Sequence, residues 1–475
     1  MLHRSAGVEV VALSQVFDLL IVGGGVTGSA LLYLTSKYTD IRHVGLLEKY
    51  AAPARVNSLH SNNSQTLHCG DIETNYSLEK ALKVQRAARM VENYATTQPD
   101  IDHLIFRYPK MVLGVGAREC TQLRQRFATL SPHYPNLRLL EAKDIARIEP
   151  AVAYANGRPR PDEIVALGSE NEYTAVNYEA LSRSFVRQAQ RCEGKSAVVE
   201  YNQRVRHIKT QGELFVIETA TTSFQARAIV VCAGGHSLKL AHDLGYGHHY
   251  SVLPVAGSYY FTPQVLRGKV YTVQNDKLPF AAIHGDPDVM VPGKTRWGPT
   301  ALVLPVLERY NWETLKDFMR VFRFDRKVWD VLYDLLKVPD IRNYMLKNFL
   351  FEVPVLRRGL FLKDARKIVP DLRYRDLRFA HHVGGIRPQL IDKDNRRLMM
   401  GEAKIDTGVG AIFNMTPSPG ATCCLENAEV DMRAVAEYLG ASVDDARFAA
   451  DLLGSDQRHQ GSDLPSHIIS GADAA

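Results

Sequence analysis

The sequence predicts an α/β protein, α+β overall: a Rossmann-like domain into which an antiparallel-sheet domain is inserted. Three observations carry that expectation. An apolar run, Phe17 to Val22, ends at a glycine cluster and leads into a helical pattern and a second apolar strand. The stretch from Tyr250 to Leu304 is instead rich in β-branched and aromatic residues punctuated by Gly and Pro. At 475 residues the chain is also too long for one compact core.

Phe17 to Val22 reads as a buried parallel strand, Val26 to Tyr38 as a helix and Arg42 to Glu48 as a second strand, together one βαβ unit. Leu78 to Tyr94 is helical, with Ser77 as its cap and Leu82, Val84, Ala87, Met90 and Val91 on its apolar face. Ile105 to Val115 is strand-like, Cys120 to Leu130 helical, and Tyr178 to Arg191 helical. Two strands follow, Glu213 to Thr219 and Ala228 to Ala233, and Leu315 to Lys347 reads as helix. Strand-helix alternation at both ends of the chain divides it as follows. Residues 15–104, 175–249 and 379–453 form the Rossmann-like domain, 105–174 and 250–378 the inserted substrate domain, and 454–475 a mobile tail. The first fifteen residues read as an extension ahead of the first strand, with a weak organellar presequence as the other reading.

Composition is that of an ordinary globular chain, 45% hydrophobic with a formal charge of +6. The excess is spread out, which favours anionic small molecules or an anionic membrane surface over nucleic acid. No run is long enough to span a bilayer, so membrane contact is expected to be peripheral. None of the six cysteines stands in a CxxC pair, so no zinc ribbon or thioredoxin-type site is indicated. Cys423 and Cys424 read as buried packing residues or as a redox pair. The tandem histidines His248–His249 and His381–His382 have no further ligands at recognisable spacing, and no metal site is expected.

Gly23-Gly-Gly25-Val26-Thr27-Gly28 sits where a strand becomes a helix, the context a dinucleotide fingerprint requires. Gly23 permits the tight turn, Gly25 lets backbone approach a diphosphate, and Gly28 lets helix and strand pack closely. The helix N-terminus stabilises the phosphate charge. Glu48 lies twenty residues after Gly28, placed to accept hydrogen bonds from ribose hydroxyls, with Lys49 beside it. A second apolar strand ending in glycines, Ala228 to Gly235, points to FAD rather than NAD, since Ala233, Gly234 and Gly235 would follow the cofactor's outer edge, with Val205 nearby. The polar, lysine-poor run Asn62 to Tyr76 (NNSQTLHCGDIETNY) can satisfy phosphate, ribityl and flavin edges without adding charge.

These stretches, with Leu278 to Asp288 (LPFAAIHGDPD) and Asn414 to Thr422 (NMTPSPGAT), resemble the malate:quinone oxidoreductase family. The branch they resemble is the divergent one of epsilon-proteobacteria and apicomplexan parasites, within the D-amino-acid-oxidase-like flavoproteins. The resemblance spans about residues 17 to 453. It implies FAD, oxidation of L-malate to oxaloacetate, electron delivery to quinone, and peripheral attachment to a membrane. That membrane would be the bacterial inner membrane at its cytoplasmic face, or the mitochondrial inner membrane.

Oxidising a 2-hydroxy acid requires a cation for the carboxylate, a base for the hydroxyl proton and a hydride acceptor. His284 is the expected base, aligning with the histidine that relatives place over the flavin. Arg387, in the glycine-flanked turn Gly384-Gly-Ile-Arg387-Pro-Gln389, is expected to grip a carboxylate bidentately and to touch the cofactor. Arg296, with Lys294 behind it, is the expected second cation. Asn63, Ser64, Gln65 and His68 are expected at the cofactor, His68 without a covalent bond to it. Pro417, Ser418, Gly420, Ala421 and Thr422, ahead of a helix near Cys423, are expected at the flavin pyrimidine edge. Three alternatives stay open: a dehydrogenase of another acid such as L-2-hydroxyglutarate, a soluble NAD-linked malate dehydrogenase, and a non-catalytic flavin-binding module.

Overall fold

The computed structural model describes residues 16–274, 283–351, 353–354, 356–399, 403–415, 419–454 and 468–470. The chain opens with β1 (Phe17–Val22), α1 (Val26–Tyr38) and β2 (His43–Leu47), the expected βαβ unit. α2 (Leu78–Thr96) follows, capped by Ser77, whose Oγ accepts the Lys80 N–H at 3.2 Å. Next come β3 (Lys110–Val115), α3 (Ala117–Leu130), β4 (Ile164–Ser169), α4 (Tyr178–Gln190), β5 (Ser196–Glu200), β6 (Leu214–Glu218) and β7 (Ser223–Val231). The second half carries β8 (Tyr250–Ala256), β9 (Tyr260–Pro263), β10 (Lys269–Thr272), β11 (His284–Pro287) and β12 (Lys294–Gly298). Helices α5 (Leu315–Phe322), α6 (Arg326–Lys337) and α7 (Pro339–Leu350) precede β13 (Ile386–Asp392), β14 (Ala403–Asp406), β15 (Ala411–Met415) and α8 (Cys424–Leu439).

One sheet is assembled from three distant stretches of chain. β5, β2, β1, β7 and β15 run parallel in that order, β14 follows antiparallel to β15, and Ile468–Ser470 lies beyond β14. A central parallel strand is covered on both faces, which is why β1 is apolar almost throughout. α1 is buried nearly all round because α4 and α8 pack on it as well as the sheet. Tyr33, Tyr94 and Phe185 join α1, α2 and α4 in one aromatic cluster, with ring centroids 4.5 to 5.6 Å apart.

The second large sheet includes β9, β12, β11, β10, β3 and β4 in spatial order. It is not purely antiparallel: β10 runs parallel to β3, so this sheet is mixed. β8 stands outside this sheet. It pairs antiparallel with β13 in a separate sheet, across the boundaries drawn at 250 and 379. The helix expected over 315–347 is three helices. Arg323 takes a left-handed φ of 47°, Asp325 caps α6 by accepting the Val328 N–H at 2.9 Å, and Pro339 opens α7. Of the tail, residues 455–467 and 471–475 lie outside the described residues, and Ile468–Ser470 pairs with β14.

Buried charge ties the polar run at 62–76 to the second sheet. Lys110, at the start of β3, is buried with its ammonium 2.7 Å from Asp71 and 3.0 Å from Glu172. Asp71 belongs to the polar run that crosses between domains, so this pair sets where that run lies. Removing one partner of a buried pair strands the other's charge. Lys110→Met is therefore expected to destabilise the protein by about 3–5 kcal/mol in chemical denaturation, and the double change Lys110→Met/Asp71→Leu to recover most of that loss.

Candidate active site

The glycine turn does what its spacing requires. Gly23 has φ +108°, and a Cβ there would lie 2.5 Å from the Cys232 carbonyl. A Cβ on Gly28 would lie 2.0 Å from the Gly23 carbonyl, so α1 reaches β1 only as glycine. At Gly25 the nearest atom to an added Cβ is Ser58 Oγ at 3.5 Å, leaving the space over the helix N-terminus open. That space belongs to a cavity of about 700 Å³. Gly23, Gly25, Val26, Thr27, Glu48, Lys49, Val205, Ala233, Gly234, Gly235, Gly420 and Ala421 all line it.

Glu48 accepts the Gly24 and Tyr50 N–H groups at 2.7 and 2.9 Å, and burial pushes its carboxyl above the usual range. Lys49 is ion-paired with Glu308, and burial lowers its ammonium to about 8. Several lining residues were not foreseen, Asn57, Ser58 and Arg204 among them. Ser58 Oγ accepts the Val26 N–H at 3.0 Å, Asn57 exchanges hydrogen bonds with the Ile386 backbone at 2.8 and 3.0 Å, and Arg204 pairs with Asp317 at 2.8 Å. Asn57 and Ser58 stand just ahead of the polar run read from Asn62, and the same amide-and-hydroxyl chemistry marks them.

A second cavity, of about 130 Å³, shares Asn57, Pro388, Gly420 and Ala421 with the first. Its wall brings together Asn63, Ser64, Thr66, His68, Tyr178, Tyr259, Arg387 and Thr422. Arg387, half-buried on β13, makes no ion pair among the described residues. His68 Nδ1 is 2.6 Å from Glu73 Oε1, and the His68 backbone N–H donates to Thr422 Oγ1 at 3.1 Å. Burial pushes Glu73 up, but the His68 hydrogen bond and charge together with Lys110 outweigh it and hold the carboxyl below its usual range.

His284 and Arg296 lie one layer back. Neither is on either cavity wall. His284, on β11, is buried and stacks on Tyr271 with ring centroids 4.2 Å apart; Tyr271 is hydrogen-bonded at 2.6 Å to Thr66 of the wall. Its Nε2 is 3.7 Å from Asp286 Oδ1. Asp286 is buried, which raises it, but Lys269 at 2.7 Å, His284 and Arg296 outweigh that and keep it below the usual carboxylate range.

Arg296 is 0% exposed, and its guanidinium sits over the Tyr259 ring at 4.9 Å. Its nearest carboxylate oxygens are on Asp288 at 3.5 Å and Asp286 at 4.0 Å, and none of its three nitrogens makes a hydrogen bond among the described residues. A planar donor set fully removed from water without an acceptor is costly, and an anion brought to it regains that cost.

Gln65 and Gly28 do not line either cavity. Gln65, at φ +52°, donates to the His60 carbonyl at 3.1 Å and to Asp288 at 3.3 Å and accepts the Val289 N–H at 3.0 Å; it lines neither cavity. Gly28 packs against the Gly23 carbonyl, the close approach its place in the motif requires. Pro417, Ser418 and the segment Leu278 to Ala282 lie outside the described residues.

The family model for FAD dependent oxidoreductases (DAO) matches residues 18–425 of the chain. A probable malate:quinone oxidoreductase of Campylobacter jejuni is 44% identical over 92% of this chain and 99% of its own length. The malate:quinone oxidoreductase of Helicobacter pylori is 42% identical over 93% and 98%. The chain belongs to the malate:quinone oxidoreductase family. As an FAD-dependent oxidoreductase, this family member shares its fold with FAD-bound L-alpha-glycerophosphate oxidase of Mycoplasma pneumoniae, at TM-score 0.60 and 20% identity over 89% of this chain and 95% of that one.

The residues present fit FAD: an open helix N-terminus, a carboxylate at the end of β2, and a second glycine turn at 233–235 line one continuous cleft. Gly25→Val is expected to fold, with unchanged far-ultraviolet circular dichroism, yet to purify colourless, because its side chain fills the cradle. Glu48→Gln loses the charged acceptor and is expected to weaken FAD binding about 10- to 100-fold by fluorescence titration.

Proposed function

We propose that this chain oxidises L-malate to oxaloacetate with FAD and passes the electrons to quinone at a membrane surface. The observation that carries the substrate class is the pair of cations around the second cavity. Among the described residues Arg387 stands on its wall without an ion pair, and Arg296, ion-paired with Asp288 at 3.5 Å, lies behind Tyr259 with no guanidinium nitrogen hydrogen-bonded. A dicarboxylate needs two such partners. Arg387 grips one carboxylate directly. Arg296 meets the second where Tyr259 yields, or otherwise acts on it through that ring. The matching of this chain with relatives named malate:quinone oxidoreductase over nearly their whole length supports the same reading.

FAD, when bound, supplies the acceptor for two electrons. Gly23, Gly25, Val26 and Thr27 would hold its diphosphate, Glu48 a ribose, and Asn63, Ser64 and Thr422 the flavin end. His284 takes the hydroxyl proton, and Asp286 at 3.7 Å stabilises the imidazolium that results. His68 is the second reading for this role, favoured because it lines the cavity and already has Glu73 as its carboxylate partner. Among the described residues no helix is long and apolar enough to cross a membrane, in keeping with attachment to the surface of the bacterial or mitochondrial inner membrane.

Under argon, L-malate is expected to bleach the flavin absorbance, and bleaching by L-2-hydroxyglutarate but not malate would overturn the substrate. Arg387→Met is expected to raise the malate concentration for half-bleaching roughly 100-fold. His284→Ala is expected to keep FAD bound while slowing bleaching at least about 100-fold. Unchanged bleaching in that variant, with loss in His68→Ala, would move the proton to the His68–Glu73 pair.

A further inference from the structure

The exposed apolar surface of this protein is concentrated in one place. Twelve of the nineteen exposed large hydrophobic side chains among the described residues fall between Tyr310 and Leu356. Scattered singly they would be ordinary, but here they follow helical spacing. On α6, Trp329, Tyr333 and Leu336 recur at i, i+4 and i+7 and are 53%, 62% and 42% exposed, while Val328 and Val331 turn inward. Phe324 extends the stripe, its ring 6.2 Å from that of Trp329. On α7, which packs against α6, Arg342, Leu346 and Phe349 repeat the same spacing, with Leu346 and Phe349 more than half exposed.

Charge distinguishes this face from one that waits for an apolar partner. Arg323, Arg326 and Arg342 are exposed beside the stripes and have no carboxylate partner among the described residues. The nearby acids are taken: Asp325 pairs with Lys393 at 2.8 Å, and Asp330 and Asp334 with Arg396 at 3.9 and 2.8 Å. Lys337 lies over the Tyr333 ring at 4.3 Å, its stem along the apolar stripe. Tryptophan and tyrosine at the rim of an apolar strip with unpaired arginines match the headgroup region of a bilayer, where amphipathic rings settle and anionic phosphates meet the cations.

We propose that α6 and α7, with Phe324, are the surface by which this chain docks on an anionic lipid bilayer. The helices lie in the interface plane, with Trp329, Tyr333, Leu336, Leu346 and Phe349 inserted and Arg323, Arg326 and Arg342 on headgroup phosphates. This rests on the reading that the chain works at a membrane, and it specifies the face and the lipid charge.

The test uses the full chain with FAD bound and two kinds of vesicle, phosphatidylcholine alone and phosphatidylcholine with phosphatidylglycerol. The wild type is expected to sediment with the anionic vesicles. Trp329→Gln/Tyr333→Gln/Leu336→Gln is expected to stay in the supernatant. Arg323→Gln/Arg326→Gln/Arg342→Gln is expected to lose roughly 100-fold in partitioning onto anionic vesicles. Both should keep the flavin spectrum and oxidise malate with a water-soluble dye at the wild-type rate, while reduction of a vesicle-embedded quinone falls with binding. If both variants sediment like the wild type, docking occurs elsewhere and the proposal fails while the membrane reading stands. If the wild type ignores both vesicles, the membrane reading itself fails. If light scattering shows a wild-type dimer that the aromatic variant breaks, with vesicle binding unchanged, a second copy covers this face and the proposal is overturned.

Discussion

A single close approach organises this molecule: Gly28 of α1 lies against the carbonyl of Gly23, where any side-chain carbon would be 2.0 Å from oxygen. Because α1 sits that close to β1, its N-terminal amides open into the cleft between β2 and the 233–235 turn, and its partial positive charge faces a position where a diphosphate belongs. The rest of the first domain is fitted around that contact. α4 and α8 cover α1, β7 and β15 extend the sheet from distant sequence, and Ser58 and Asn57 bring the following loop over the helix end.

The second domain is built on a different principle, the management of buried charge. Lys110 with Asp71 and Glu172, Lys269 with Asp286, and Glu73 with His68 each leave water as partnered groups. Such pairs add little net stability, because desolvation offsets most of the Coulomb gain. They do determine where the polar run 62–76 crosses from one domain to the other, and hence where Asn63, Ser64, Thr66 and His68 meet Arg387. Arg296 is the exception among these charges. It is ion-paired with Asp288 at 3.5 Å, yet among the described residues its buried donors make no hydrogen bond, which is the demand that the proposal assigns to the substrate.

The same balance explains the exposed helices. α5 to α7 leave apolar side chains in water at a cost that an isolated globular domain has no reason to bear. On the proposed docking, a bilayer would remove that cost and would bring the chain to where a lipid-soluble acceptor resides. Cleft and exposed helices would then divide the labour, with binding of small polar groups inside and apolar contact outside.

Much of this was legible in the residues alone. β1, α1 and the Ser77 cap follow from local spacing: a strand buried on both faces must be apolar throughout, a turn at φ +108° is almost confined to glycine, and a hydroxyl satisfies the first helical amides. The cofactor cleft was legible for the same reason, since backbone conformation at glycine is a local property. Tertiary structure decided the rest. Nothing local distinguishes β10 running parallel to β3 from the antiparallel alternative, because pairing direction is set by the route of distant chain. Gln65 bonds to Asp288, off both cavity walls, because a loop side chain bonds to whatever the fold brings near. His284 and Arg296 reach a buried layer behind Tyr271 and Tyr259 for a similar reason: depth below a cavity wall depends on how sheets stack, which residue type and spacing do not encode.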